Sequence, residues 1–198
     1  GDGEDVFYYL TIYNENYEMP PKAEGIEDGI MAGLYRWAPA PEGAAIPAAI
    51  LFSGPAHAAA RIAQAELVEH YGVGAELWSA TSYKKLREEA LEVERWNRLH
   101  PGAAPRASYV SRSLAGLGPV VAVSDYMTAV PDQISRWVPA RYTSLGTDGF
   151  GRSDTREALR EFFEVDYRHV VVAVLASLAL DDQVDPAVIA LATVNLPA

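Results

Sequence analysis

The sequence predicts an α/β fold, a three-layer α/β/α sandwich around a mostly parallel sheet. Three observations carry this expectation. Short β-branched apolar runs alternate with helical stretches of about 10–15 residues, as in successive βαβ units. The runs at residues 48–53 and 119–124 are apolar almost throughout, as in strands covered on both faces. The 198 residues, 49% of them apolar, suffice for one sizeable core.

Taken in order, residues 6–13 are rich in β-branched and aromatic side chains and predict a strand. So early a strand needs a partner, which points to a piece of a longer chain. Met19-Pro20-Pro21 removes backbone donors and predicts a linker. A short helix over 26–32 and a strand over 34–37 follow, then a Pro/Ala/Gly-rich connection over 39–47. Residues 48–53 form the next strand, Gly54-Pro55 a turn, and 57–71 a helix stopped by Gly72. A strand over 75–79 leads to a helix capped by Thr81 or Ser82 and carrying Leu86, Ala90, Leu91, Val93 and Trp96. After a loop at 100–106 come a strand at 119–124, a helix over 130–137 and a strand at 142–145. Residues 146–153 form a glycine-rich loop. Ser153 or Asp154 caps a helix over 155–163, and an apolar helix covers 167–180. Pro186, preceded by Asp185 as cap, opens the last helix.

Composition narrows the function classes. Cysteine is absent, so no disulfide or thiolate metal site can form. The net charge of -11 repels phosphate backbones, and Lys84, Lys85 and Arg87 sit among acidic residues, so no nucleic-acid partner is expected. The longest apolar stretch, 170–180, is too short for a membrane span, and no signal peptide is legible. The expectation is a cytoplasmic protein with no membrane partner.

Candidate chemistry is sparse. Ser53-Gly54-Pro55-Ala56-His57 joins a strand to a helix, but Pro55 removes a donor and no Lys follows, so it reads as a plain turn. His57, His70, His100 and His169 lack the i, i+4 spacing of a helical metal site and read as packing or surface residues. Trp37, Trp78, Trp96 and Trp137 read as core or interface anchors. In the loop 146–154, Gly146, Gly149 and Gly151 permit close approach of another chain, and Asp148 and Arg152 are placed to pair with each other or across an interface.

Several stretches carry a resemblance. They are Phe7-Tyr8-Tyr9-Leu10-Thr11 with Asn14-Glu15-Asn16-Tyr17, Tyr71-Gly72-Val73-Gly74, Trp78-Ser79-Ala80-Thr81-Ser82 and Glu94-Arg95-Trp96-Asn97-Arg98-Leu99-His100-Pro101. Ser124-Asp125-Tyr126-Met127, Leu145-Gly146-Thr147-Asp148-Gly149-Phe150-Gly151-Arg152-Ser153-Asp154 and Glu164-Val165-Asp166 complete the series. Across residues 6–186 the sequence resembles the C-terminal part of the homodimeric, thiamin-diphosphate-dependent pyruvate dehydrogenase component. The resemblance implies a transketolase C-terminal-domain-like fold. It implies residues 1–17 as the tail of a preceding middle domain, 18–47 as linker and lead-in, and 48–198 as the C-terminal domain. It implies a full-length enzyme that uses thiamin diphosphate and magnesium to decarboxylate pyruvate and reductively acetylate lipoyl groups. The implied partners are the N-terminal and middle domains of its own chain, a second identical subunit and dihydrolipoyl acetyltransferase.

No catalytic, cofactor-binding or metal residue is expected within this chain. The Asp2 of Gly1-Asp2-Gly3 lacks the later Asn with which that family holds magnesium, since none occurs between Asn16 and Asn97. This stretch is expected to bind no cofactor, and the chain alone to be inactive. Asn14, Glu15 and Asn16 are candidates for the active-site wall of the full enzyme, and Asp148, Gly149, Phe150, Arg152 and Asp154 for a domain or subunit interface. Two other readings stay open: a regulatory module for a nucleotide or acyl-coenzyme, and a free-standing serine hydrolase using Ser53.

Overall fold

The computed structural model describes residues 3, 5, 7, 8, 12, 16, 21–194 and 196. The strand expected at 6–13 falls mostly outside the described residues, as do Asn14 and Glu15. Of that group Asn16 is described, and it is exposed.

Five strands form one sheet in the order β1-β3-β2-β4-β5, where β1 is Leu34–Ala38, β2 Ile46–Phe52, β3 Val73–Ala80, β4 Val120–Val123 and β5 Tyr142–Leu145. The β3–β2, β2–β4 and β4–β5 pairs are parallel, and β1 runs antiparallel on the edge of β3. The sheet therefore reaches back into the lead-in segment. Leu34 is fully buried, and the Thr81 and Ser82 nitrogens donate to the Gly33 carbonyl. The strand expected over 34–37 is present and packs as the edge of this sheet.

Two apolar clusters put the sheet between helical layers. Ala48, Ile50 and Phe52 face α2 (His57–Tyr71) and α6 (Tyr167–Leu180), with α7 (Ala187–Thr193) outside α6. Ala49 and Leu51 face α3 (Tyr83–Leu99), α4 (Tyr109–Ser113) and a 3₁₀ segment, Pro131–Trp137. The alternation of β2 between the two clusters is the period-two pleat of a strand buried on both sides. A short α1 (Glu27–Ala32) precedes β1, and α5 (Arg156–Phe162) lies on the approach to α6.

Three local expectations change. Residues 131–137 are 3₁₀ and not α-helix: Pro131 lacks an N–H, and the bonds that close, Gln133 N to Val130 O and Val138 N to Ser135 O, span three residues. The cap of α5 is Thr155, whose hydroxyl accepts from Ala158 N, while Asp154 accepts only from Thr155 N. The short α4, capped by Ser108, was not expected. No helix among the described residues is long and apolar enough to cross a membrane.

Candidate functional site

The carboxyl ends of the parallel strands are where α/β sheets place their sites, at the point where strand order reverses. From β2 the chain moves to β3 on one side and then crosses to β4 on the other, so the reversal lies between the ends of β2 and β4. Ser53 and Ser124 stand there, both buried. The Ser53 hydroxyl donates to the Ala80 carbonyl at 2.9 Å, and Ser124 Oγ accepts from Tyr126 N at 3.3 Å. Tyr83 is buried beside them. Burial pushes its phenol far above the ordinary tyrosine value, more than the neighbouring Ser53 brings it down. These groups are neutral at physiological pH, and the Ser53 proton is committed to fastening the end of β2 to the end of β3. The arrangement is structural and gives the Ser53 nucleophile reading no support.

The two loops that leave β4 and β5 are bound to one another. Thr147 N donates to the Tyr126 carbonyl at 2.9 Å, and Thr147 Oγ1 to the Asp125 carbonyl at 2.7 Å. Asp148 accepts from Thr128 N at 3.0 Å and from Thr128 Oγ1 at 2.5 Å. A Cβ on Gly146 would sit 2.4 Å from the Tyr126 carbonyl oxygen, so only glycine allows this approach. Arg152 does not pair with Asp148; its guanidinium lies 3.9 Å from the centroid of the Phe162 ring. Of the two expected arrangements, pairing of these charges with each other is not found, since each has a nearer partner within the chain.

Beyond these fasteners several large apolar side chains of these loops and of α5 are exposed among charged ones. Phe150 is 97% exposed, and Phe162, Met127 and Tyr126 are each about half exposed. Gly149 has φ +92° and no atom within 4 Å of a Cβ placed on it. The sequence placed Phe150 in an interface loop. It missed Thr128 and Thr147, whose bonds join segments twenty or more positions apart in the chain and leave no local signal.

The remaining motifs are scaffold. Glu94 accepts from Trp137 Nε1 at 2.7 Å and from Arg136. Arg106 lies 3.6 Å from the Trp96 ring centroid and His100 stacks on that ring at 4.4 Å, while both amide atoms of Asn97 bond the Arg106 backbone. This set pins the 100–108 loop to α3. Among the described residues no three His, Cys, Asp or Glu gather as a metal site. No reaction step is derived through a metal ion or cofactor here.

Asp166 organises the start of α6. It accepts from His169 N and His169 Nδ1 and takes two bonds from Arg168, which also pairs with Glu161. Burial raises its pKa, but the hydrogen bonds from Arg168 and His169 outweigh this and hold it below the ordinary aspartate value. The folded state therefore binds fewer protons than the unfolded chain across that range. The carboxylate's contribution is complete above about pH 5 and fades as pH falls through the depressed folded value. Asp166→Ala is expected to cost about 1–2 kcal/mol at neutral pH through the lost cap and charge-assisted bonds. Urea midpoints of variant and parent should converge in acid; a gap that stays constant down to about pH 3 would refute the linkage.

The fold agrees with the comparisons to known proteins. The chain belongs to the transketolase-like TK C-terminal domain family, whose model matches residues 33–166. Among particular relatives, the pyruvate dehydrogenase E1 component of Pseudomonas aeruginosa is 47% identical over 189 residues, covering 94% of this chain and 21% of the relative. That of Mycolicibacterium smegmatis is 47% identical over 191 residues, covering 96% and 21%. The chain thus spans about a fifth of the length of these curated relatives. A transketolase from Leishmania mexicana superposes with a TM-score of 0.52 at 19% identity, covering 77% of this chain and 19% of that one, which bears on the fold alone.

Proposed function

We propose that this domain is the supporting C-terminal lobe of a longer pyruvate dehydrogenase E1-type enzyme and carries out no chemistry by itself. The observation that carries the reading is the exposure of Phe150, 97%, on a loop whose base is fastened to its neighbour. In this reading the loop packs on the preceding cofactor-binding domains of the same polypeptide and helps to hold a second identical subunit. Gly149, Phe150, Arg152 and Asp154 belong to that interface, and Asn14, Glu15 and Asn16 help shape the active-site wall where the preceding domain ends. Thiamin diphosphate with magnesium, bound elsewhere in the polypeptide, supplies the electron sink for decarboxylating pyruvate. The acetyl group then passes to a lipoyl group on dihydrolipoyl acetyltransferase. Support also comes from identity to E1 components along nearly the whole chain while covering a fifth of their length.

Co-expression of this chain with the rest of its polypeptide as two separate pieces tests the reading. The pieces are expected to purify together and release carbon dioxide from pyruvate when given thiamin diphosphate and magnesium. A remainder that is equally active without this chain, or release of carbon dioxide by this chain alone, would overturn it.

A further inference from the structure

Asp148 is expected from the sequence to pair with Arg152 or across an interface. Both oxygens of its exposed carboxylate are engaged by the neighbouring loop, one by the backbone N–H of Thr128 and the other by the Thr128 hydroxyl. Two residues beyond it stands Phe150, the most exposed large apolar side chain of the structure among the described residues. Gly149 and Gly151 flank that ring, and neither has an atom within 4 Å of a Cβ placed on it. Nothing in the tip itself fixes the ring, so its position is set from the base of the loop.

The base is held by a set of contacts between the loops that leave β4 and β5. Thr147 bonds the Tyr126 and Asp125 carbonyls, Gly146 lies against the Tyr126 carbonyl, and Asp148 closes the far end on Thr128. Thr147 and Gly146 sit at the end of β5, where strand pairing already orders the chain. Asp148 is the last point of attachment before the glycines. A hydrogen bond to an ionised acceptor is the stronger kind, and two from one residue also set an orientation. A loop ordered before it docks loses less conformational entropy on docking than one ordered by the partner.

We propose that Asp148 is a positioning residue: clamped by Thr128, it latches the β5–α5 loop to the loop after β4 and presents Phe150, already in place, to the preceding domains of the longer polypeptide. The choice of those domains as occupant rests on the functional reading above, whereas the latch rests on this chain's own contacts. Through its two bonds to Thr128 the carboxylate acts by way of the loop it holds.

Trypsin cleavage of the purified chain reads the latch directly. Arg152 lies in the exposed loop, and Lys22 lies in an exposed segment on the other side of the sequence, so cleavage after Lys22 serves as the internal reference. Asp148→Ala is expected to speed cleavage after Arg152, relative to Lys22, by about tenfold, because local opening becomes easier by the worth of a charge-assisted bond. Asp148→Asn keeps an oxygen for the Thr128 N–H and should change the ratio by no more than about threefold. Thr128→Val removes the second bond from the other side. Combined with Asp148→Ala, it should add nothing, since the hydroxyl then has no carboxylate to meet. An unchanged ratio in Asp148→Ala, or effects of the two substitutions that multiply, would overturn the latch; unchanged near-ultraviolet dichroism excludes a general loss of fold. Phe150→Ser should leave the ratio as in the parent. If the latch results hold while Phe150→Ser has no effect on association with the remaining polypeptide, the docking reading fails and the latch stands.

Discussion

Gly118→Ala is expected to abolish or nearly abolish folding, while the same change two residues earlier is mild. Gly116 and Gly118 have nearly the same backbone conformation, φ +78° and +75°, so both substitutions carry the strain of a left-handed residue, about 1 kcal/mol. Their surroundings differ. A Cβ at Gly116 meets open space, whereas at Gly118 it would lie 2.2 Å from the Pro47 carbonyl oxygen and 2.9 Å from the carbon behind it. Both are backbone atoms of β2, the central strand, so no side chain can swing aside. Relief requires moving β2 from β4 where Ala49 pairs with Val120 and Ala49 N donates to the Pro119 carbonyl. That disturbs strands covered on both faces by core. A loss of more than about 4 kcal/mol is expected, a large share of the roughly 5–15 kcal/mol that stabilises a typical domain. Urea unfolding of the two variants makes the comparison. Equal midpoints would mean that the approach of residue 118 to β2 carries no energetic weight.

Phe150→Ser should leave the chain as stable as its parent and weaken its association with the rest of the polypeptide by about thirtyfold or more. The first half follows from 97% exposure: the ring buries almost nothing within the domain. The second half follows from the value of burying a phenylalanine, about 1.5–3 kcal/mol, enhanced where the ring is the centre of an apolar patch that excludes water. Arg152→Ala should do less, because the guanidinium already rests on Phe162 and its removal mainly uncovers that ring. Titration of the separately purified pieces measures both. Equal affinity for parent and Phe150→Ser would show that the partner surface lies on another face, with the helices on either side of the sheet the next places to substitute.

The strands of the centre were readable from the sequence because burial on both faces leaves a continuous apolar run. Residues 48–53, 75–79, 119–124 and 142–145 each lie on or within one residue of an observed strand. Helices α2, α3 and α6 were readable from their length and from turn and capping residues near their ends. The five residues of α4 are too few to show a period, and Pro131 at the head of 131–137 announces a helical start without telling 3₁₀ from α. Within 18–47 the sequence offered a short helix over 26–32 and a strand over 34–37 before the Pro/Ala/Gly-rich stretch 39–47, but nothing local marks β1 as the antiparallel edge partner of β3.

By itself, the sequence determined the layered α/β architecture, the absence of thiol chemistry, and the glycine-rich loop at which an interface was expected. These are properties of composition and of residues close together along the chain. Only the tertiary structure decided that Ser53 fastens two strand ends, that Asp148 bonds Thr128 of the neighbouring loop, and that Phe150 is left outside. Each of these depends on which distant segment the fold brings alongside, and a hydrogen bond reaching only about 3 Å is specified by that juxtaposition and not by spacing in the chain.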